Sequence, residues 1–169
     1  MLYGKYRFRS RFKSDAVLPY YKGSTFRGVF GHALKKVVCA LKQQVCSECL
    51  LKDRCVYALV FESAETIRLP TGSRIAHPPH PFVIEPLLTT ETFFENGSDF
   101  DFALLLFGEV NHSLPYFIYA FDRMGKIGIG KRINNQRGQF ALKTVTAGNQ
   151  SIYTEHDQAL HDYDSKEMT

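Results

Sequence analysis

Long apolar runs are missing from this chain of 169 residues, and no segment approaches the roughly 18 apolar residues of a membrane-spanning helix. We also expect no leader peptide, because the N-terminus has the pattern of a basic strand. Cysteine is scarce, with four residues, and in an intracellular chain these favour free thiols or a metal over disulfides. We therefore expect a cytoplasmic protein without a membrane partner.

Acidic residues are nearly absent from the first quarter of the chain. Residues 1–42 contain ten Lys or Arg and a single acid, Asp15. Residues 1–146 carry 20 basic against 12 acidic side chains, a net charge of +8, whereas residues 147–169 carry one against five, a net charge of −4. A basic body with a local concentration of charge indicates a nucleic-acid partner.

The glycine-rich segment "GKIGIGKR", residues 125–132, lacks the final Ser or Thr of a nucleotide-binding P-loop. Arg132 occupies that position, has no hydroxyl group and repels Mg²⁺. The order of elements is also wrong, because a P-loop follows a strand and opens a helix, whereas here a helical pattern precedes the loop and the strand-like "QFALKTV" follows it. We therefore expect no nucleotide cofactor, whether mononucleotide or dinucleotide.

The same segment contains glycines interleaved with cations. Glycine permits close backbone approach and positive φ, and cations spread along a loop match the phosphates of a polyanion. This pattern predicts RNA binding by Gly128, Gly130, Lys131, Arg132 and Arg137. A solvated connection with incidental charge is the alternative interpretation.

The segment "YRFRSRFK" alternates between apolar and basic side chains. This period of two predicts a strand that buries Tyr6 and Phe8 against a core. Its opposite face would offer Arg7, Arg9 and Arg11 to phosphates.

The order of the predicted elements indicates an α+β fold. A helix capped by Ser24 or Thr25 and ending near residue 43 follows the first strand. Strands at "PFVIEP" and "DFDFALLLFGEV", a helix at about 113–124 and a strand at about 139–146 come next. The order β-α-β-β-α-β predicts a ferredoxin-like domain, with a four-stranded antiparallel sheet and two helices on one face.

The predicted domain spans residues 1–146 and has a Cys-rich insertion at about 45–56, after the first helix. Residues 147–169 contain acids, Gly and Ser with little periodicity. We interpret them as a linker or a disordered tail.

His32 is the candidate catalytic residue of the first helix. On a helical wheel it faces away from the apolar stripe, and Lys35 and Lys36 share its face. A side chain that exchanges protons near neutral pH thus lies beside two cations. The alternative is a solvated histidine without a catalytic role. The loop before the helix adds Tyr20, Tyr21 and Lys22.

The cysteines Cys39, Cys46, Cys49 and Cys55 have the spacing C-x6-C-x2-C-x5-C. A C-x2-C pair with two further thiols nearby can surround a tetrahedral Zn²⁺, and four thiolate ligands would make that zinc structural. Free thiols, with Cys39 packed beside the helix, and redox chemistry are the alternatives.

Four segments of the sequence carry a family resemblance: "LPYYKGSTFRGVFGHALKKVVC", "CVYALVFE", "HPPHPFVIEP" and "YAFDRMGKIGIGKRINNQRGQFAL". They resemble the N-terminal half of the CRISPR precursor-RNA processing endoribonucleases of the repeat-associated mysterious protein (RAMP) superfamily. The resemblance covers most of residues 1–146 and is most specific in the glycine-rich loop. It implies two tandem ferredoxin-like domains, so that residues 147–169 would lead to a second domain that this chain lacks.

The resemblance also implies an activity in antiviral defence. A 2′-hydroxyl within the CRISPR repeat attacks the adjacent phosphate without a metal, which leaves a 2′,3′-cyclic phosphate and a 5′-hydroxyl. His32 would act as general acid or base with Tyr20, Tyr21 or Lys36 assisting, and no cofactor would be needed for catalysis. The partners implied are CRISPR repeat RNA and other CRISPR-associated proteins. Further RNA contacts are expected from Lys22, Arg27 and Lys35.

Two other functions fit the same residues. A non-catalytic RAMP subunit would hold guide RNA in a CRISPR effector complex through the same cations and would not need His32. A small metal-binding interaction module would use the cysteines and have no RNA role.

Overall fold

The computed structural model describes residues 2–42, 45–62, 67–68, 74–75, 80–163 and 166–167. The described helices are α1 (Gly23–Val38), α2 (Val56–Phe61) and α3 (Leu114–Ile127), and single 3-10 segments lie at Cys46–Glu48 and Gly108–Ser113. The described strands are β1 (Leu2–Phe12), β2 (Ala16–Val17), β3 (Ile67–Arg68), β4 (Arg74–Ile75), β5 (Phe82–Glu85), β6 (Phe93–Phe94), β7 (Asp99–Phe107), β8 (Ile129–Ile133), β9 (Gln136–Gly138), β10 (Phe140–Ala147), β11 (Gln150–Thr154) and β12 (Lys166–Glu167).

The main sheet is antiparallel and has the strand order β11-β10-β1-β7-β5, with β12 paired to the start of β1. The elements β1, α1, β5, β7, α3 and β10 follow one another along the chain in the order that the sequence predicts. The prediction of four strands is too small, because β11 and β12 also belong to this sheet.

Strand β1 confirms the predicted alternation. Tyr6, Phe8 and Phe12 are buried, and the arginines between them are exposed. Phe102 of β7 lies opposite Phe8, and the two rings stack with their centroids 5.0 Å apart. Burial alternates along all of β7, including the half whose sequence is continuously apolar, because residues such as Leu105 lie partly exposed on the other face of the sheet.

Helices α1 and α3 pack on the same face of the sheet. The ring centroids of Phe26 in α1 and Phe102 are 5.2 Å apart, and those of Phe121 in α3 and Phe8 are 4.8 Å apart. The two helices also contact each other where Phe30 and Phe121 stack at 4.4 Å. This phenylalanine core holds α1 with its other face pointing to solvent.

Helix α1 differs from the prediction at both ends. It begins at Gly23 with Lys22 as N-cap and without a side-chain cap, since Ser24 and Thr25 lie inside its first turn. It ends at Val38, where two consecutive β-branched residues weaken helix propensity. Among the described ranges, no helix has the length and apolarity to cross a membrane.

The segment after β10 differs from the predicted linker or disordered tail. Strand β11 pairs with β10 at the sheet edge, and its Ile152 is fully buried. Lys143 and Glu155 form an ion pair of 2.6 Å across the same edge. A five-residue strand in an acidic segment gives only a weak alternating pattern, which explains why the sequence did not predict β11.

Candidate nucleic-acid interface

The glycine-rich segment forms a β-hairpin rather than the predicted loop. Strands β8 and β9 pair antiparallel, with Ile133 opposite Gln136. The two residues between them, Asn134 and Asn135, both have positive φ, at 51° and 65°. Asparagine tolerates this conformation, and a two-residue turn of this kind matches the twist of a hairpin. The pair "NN" is therefore the sequence signal that predicts this hairpin.

Two glycines of the hairpin are required by packing within the protein. Gly130 has φ +84°, and a Cβ there would collide with the carbonyl oxygen of Val17 in β2. Gly128 has φ +89°, and a Cβ there would lie 2.8 Å from the Cβ of Arg137. The Gly130 contact places β8 against β2, and the Gly128 contact lies within the hairpin segment itself. The predicted contacts of both glycines with RNA remain predictions.

A groove of about 740 Å³ separates α1 from the hairpin. We call it the α1–hairpin groove, and it brings His32 together with the hairpin cations Lys131 and Arg137. The residues that line it are Val17, Leu18, Pro19, Ser24, Thr25, Gly28, Val29, His32, Thr92, Ile127, Gly130, Lys131 and Arg137.

The α1 side of the groove includes a stripe of three residues spaced by four, Ser24, Gly28 and His32, beside Thr25 and Val29. All three are exposed, so His32 faces outward as predicted. A Cβ added at Gly28 would meet no described atom within 4 Å. The stripe therefore has a gap one turn before His32, through which a ligand can approach the helix backbone.

The hairpin side of the groove is cationic. Lys131 and Arg137 are exposed and line the groove, whereas Arg132 is exposed on the same hairpin but does not line it. Within the described residues, none of these three side chains forms an ion pair. Their charges are therefore available to a phosphate.

The arginines of β1 have a different environment. Arg11 Nε lies 2.7 Å from Asp99 Oδ1, and the Nε atoms of Arg7 and Arg9 lie 3.6 Å and 3.9 Å from the two oxygens of Asp101. A hydrogen bond from Arg11 lowers the pKa of Asp99, and the same contact raises the pKa of Arg11. The outer face of β1 is thus partly neutralised, which the sequence interpretation missed.

A second depression, of about 610 Å³, lies on the other side of the α1 stripe and shares Ser24, Gly28 and His32 with the groove. We call it the aromatic pocket. Its remaining lining residues are Tyr21, Gly23, Arg27, Gly31, Tyr57, Phe61, Phe82, Val83 and Ile84.

The other predicted catalytic residues are Tyr20, Tyr21 and Lys36, and one of them lines the aromatic pocket. Tyr20 and Tyr21 are both 71% exposed, and Tyr21 lines the aromatic pocket. Lys36 is exposed one turn after His32, but it lines neither the groove nor the aromatic pocket in the described part of the chain. The structure thus places His32 and Tyr21 in the lining of the same pocket, whereas Lys36 lies outside both the pocket and the groove.

Lys22 is the clearest correction among the predicted RNA contacts. It is only 1% exposed, and its ammonium group donates hydrogen bonds to the carbonyl oxygens of Thr89 at 2.8 Å and Tyr20 at 3.2 Å. These carbonyls stabilise the buried charge, so Lys22 fixes the loop before α1 and is not available to a phosphate.

Arg27 and Lys35 are exposed but lie over aromatic rings. The guanidinium carbon of Arg27 is 4.8 Å from the Phe82 centroid and 5.6 Å from that of Phe61. The Lys35 ammonium is 5.3 Å from the Tyr57 centroid, and burial raises the pKa of Tyr57. Both cations therefore rest on the faces of aromatic rings.

The four cysteines lie around the turn between α1 and α2. Cys39 follows α1, Cys46 begins the 3-10 segment, Cys49 follows that segment and Cys55 is the N-cap of α2. All four are free thiols and partly buried. Across the described residues, no three or more His, Cys, Asp or Glu side chains gather into a group that could hold a metal. The structural zinc site therefore stays a prediction.

Comparison with known proteins identifies a family and a fold. The model of the AF_1859_N family, described as an N-terminal domain, matches residues 1–165. A curated relative from Archaeoglobus fulgidus, described as an uncharacterized protein, is 30% identical over 112 residues, which are 66% of this chain and 37% of the relative. The match thus spans little more than a third of that relative's length.

A solved structure has a similar fold. It is a chain of the Csm3–Csm4 subcomplex in the type III-A CRISPR-Cas interference complex, with a TM-score of 0.51 and 14% identity. The similarity covers 86% of this chain and 78% of that chain. This chain therefore shares with that chain a mixed α/β fold with an antiparallel sheet.

Proposed function

The chain belongs to the AF_1859_N family, whose N-terminal domain it forms, and from this premise we propose that it binds CRISPR repeat RNA through the α1–hairpin groove. One observation carries the proposal: His32 shares this groove with Lys131 and Arg137. A side chain that can transfer protons thus lines the same groove as two exposed cations, a combination that suits a phosphodiester substrate.

The fold supports this proposal. Four neighbouring strands of the main sheet, β10-β1-β7-β5, correspond to the four strands that the sequence predicts. If these are numbered along the chain, β1 is the first, β5 the second, β7 the third and β10 the fourth, and their order in the sheet is 4-1-3-2. We propose that this core is ferredoxin-like and that the α2 region is a Cys-rich insertion into it. We also propose that the full-length protein acts in the cytoplasm together with other CRISPR-associated proteins.

The proposed reaction is metal-independent cleavage of precursor CRISPR RNA within the repeat. The 2′-oxygen of one ribose loses its proton and attacks the neighbouring phosphorus, and the bond from phosphorus to the 5′-oxygen breaks as that oxygen gains a proton. The products are a 2′,3′-cyclic phosphate and a 5′-hydroxyl. His32 would accept or donate one of these protons, since imidazole titrates near neutral pH.

Lys131 and Arg137 would stabilise the extra negative charge that develops on the phosphorane. Tyr21 lines the same pocket as His32 and is the next candidate for proton transfer, followed by Tyr20. Lys36 would act over a longer distance than the hairpin cations, because it lies outside the groove.

A second candidate function is supported by the fold comparison. The similar solved chain is part of an interference complex, and a non-catalytic RAMP subunit that holds guide RNA would use the same cations. In that case His32 would contact RNA or solvent without moving a proton.

Incubation with repeat RNA in EDTA separates these functions. Cleavage at one position, with a 2′,3′-cyclic phosphate and a 5′-hydroxyl as product ends, supports the endoribonuclease. Salt-sensitive binding without cleavage by the full-length protein supports the RNA-holding subunit. The absence of binding even at low salt contradicts both proposals.

A further inference from the structure

We infer that the aromatic pocket receives one unstacked nucleobase of a single-stranded RNA, whose phosphates follow the α1–hairpin groove. The inference rests on the proposed RNA binding and deepens it. It names the substrate class as a single-stranded segment and assigns the base contact to residues that the phosphate contacts do not use.

The pocket and the groove are two sides of one ridge. Both are lined by Ser24, Gly28 and His32. Gly28 has no side chain, so the ridge has a gap between Ser24 and His32. This gap is open, because a Cβ added at Gly28 would have no described atom within 4 Å. A nucleotide can therefore keep its phosphate on the hairpin side while its base reaches the aromatic side.

Arg27 gives the pocket a cationic wall held in place by rings. Its guanidinium group lies over Phe82 and Phe61 and remains exposed. Gly31, one turn later, allows Phe61 to approach α1, because a Cβ there would lie 3.2 Å from the tip of the Phe61 ring. A guanidinium plane supported in this way is a surface on which unpaired bases stack.

Tyr21 gives the pocket an aromatic edge. Its ring is 71% exposed although it lines the pocket. The ring folds back over the start of α1, and it does so because Gly23 has no side chain: a Cβ at Gly23 would lie 2.5 Å from the Tyr21 hydroxyl oxygen. An exposed aromatic ring that lines the same pocket as a cation suits the stacking of bases in single-stranded nucleic-acid sites.

The chemistry of the lining favours a base over other ligands. The described lining residues include aromatic rings, one arginine and the Ser24 hydroxyl, and they include no carboxylate. Such a set suits a flat, neutral, aromatic group with hydrogen-bond acceptors that belongs to a polyanion. A metal ion would find only one histidine in it.

The test uses a series of repeat-derived single-stranded RNAs in which one base at a time is removed and all phosphates are kept. We expect one position at which base removal weakens binding to the protein roughly five- to 150-fold, the range for loss of one stacked base. Tyr21→Ala should weaken binding of the intact RNA by a similar factor and have little further effect on that abasic RNA. Tyr21→Phe should bind as the unmodified protein does.

Tyr116→Ala is the matched control, because Tyr116 is 50% exposed on α3, outside the pocket. Thermal melting checks that each variant is folded. If Tyr21→Ala and Arg27→Ala bind intact and abasic RNA like the unmodified protein while Lys131→Ala weakens binding, the base pocket is refuted and the proposed RNA-binding function stands. If the unmodified protein binds none of these RNAs, both are refuted.

Discussion

Two basic regions of this domain differ in how far neighbouring acids offset their charges. The outer face of β1 carries Arg7, Arg9 and Arg11, which are all paired to acids of β7. The α1–hairpin groove carries fewer cations, Lys131 and Arg137, and neither has an ion-pair partner among the described residues. The denser row of positive charge is therefore the weaker candidate for binding phosphate.

The difference arises from strand register. Arg9 lies opposite Asp101 and Arg11 lies opposite Asp99 across the β1–β7 pair, so each acid faces the same side of the sheet as an arginine. Among the described strands, β8 pairs with β9 alone, and the sequence of β9, "QRG", adds another arginine rather than an acid. The number of cations in a segment thus says little until the residues opposite them are known.

The largest expected effect comes from the histidine of the groove. In the full-length protein that contains this domain, His32→Ala should slow RNA cleavage by about 10²–10⁴-fold, the usual contribution of a general acid or base. Affinity for repeat RNA should stay nearly unchanged, because the cations hold the phosphates. Single-turnover cleavage and equilibrium binding measure the two quantities separately.

Full cleavage activity in His32→Ala would place the proton transfer elsewhere, with Tyr21 and Tyr20 as the next residues to replace. A parallel Lys36→Ala variant is expected to cost some rate and some affinity, since a cation acts on the bound phosphate as well as on the transition state.

The next largest effect should come from the glycine that docks the hairpin. Gly130→Ala combines positive φ with a collision against the Val17 carbonyl, and we expect a loss of about 3 kcal/mol in unfolding free energy together with weaker RNA binding. Gly97→Ala is the control, because Gly97 also has positive φ, +92°, but its Cβ would meet no described atom within 4 Å. Chemical denaturation measures the unfolding free energy of both variants. Equal losses would show that the hairpin accommodates the added Cβ at position 130 without a cost from the Val17 carbonyl.

A smaller effect should follow from releasing the β1 arginines. The double variant Asp99→Asn with Asp101→Asn should raise affinity for RNA about three- to tenfold at low salt and steepen its salt dependence, because it frees cations for phosphate. Asp53→Asn with Glu91→Gln changes the net charge equally at exposed positions elsewhere. If this control pair raises affinity as much, the effect is one of net charge and the comparison of the two regions loses its support.

The smallest effect concerns acid stability. The lowered pKa of Asp99 means that its pair with Arg11 stabilises the fold above the ordinary carboxyl pKa, and that this contribution is lost as pH falls through the lowered value. We expect the melting temperature of the unmodified protein to fall slightly more than that of Asp99→Asn between about pH 4 and pH 2. Parallel curves would mean that the exposed pair contributes nothing measurable.

The sequence predicts the parts of this fold that depend on local periodicity. The alternation of β1, the outward position of His32 and the order of the core elements all follow from side-chain spacing within single segments. The hairpin was also predictable, because Asn134 and Asn135 are residues that tolerate positive φ.

The remaining features depend on residues far apart in the chain. Lys22 is buried because the carbonyl of Thr89, 67 residues away, accepts its hydrogen bond. The pairing of Arg11 with Asp99 depends on a strand register across 88 residues. Neither contact leaves a pattern in the local sequence, so the sequence predicted neither the acids that pair with the β1 arginines nor the burial of Lys22. The phosphate contacts of the β1 arginines stay a prediction.

The central claim, that the α1–hairpin groove binds RNA and the β1 row does not, is tested most directly by the salt dependence of RNA binding. Lys131→Ala with Arg137→Ala and Arg7→Ala with Arg9→Ala each remove two positive charges. We predict that the first pair lowers the slope of log affinity against log salt concentration by about 1.4, the value for two lost contacts to single-stranded phosphates, and that the second pair leaves it nearly unchanged. A larger loss of slope from the β1 pair than from the groove pair would contradict this account.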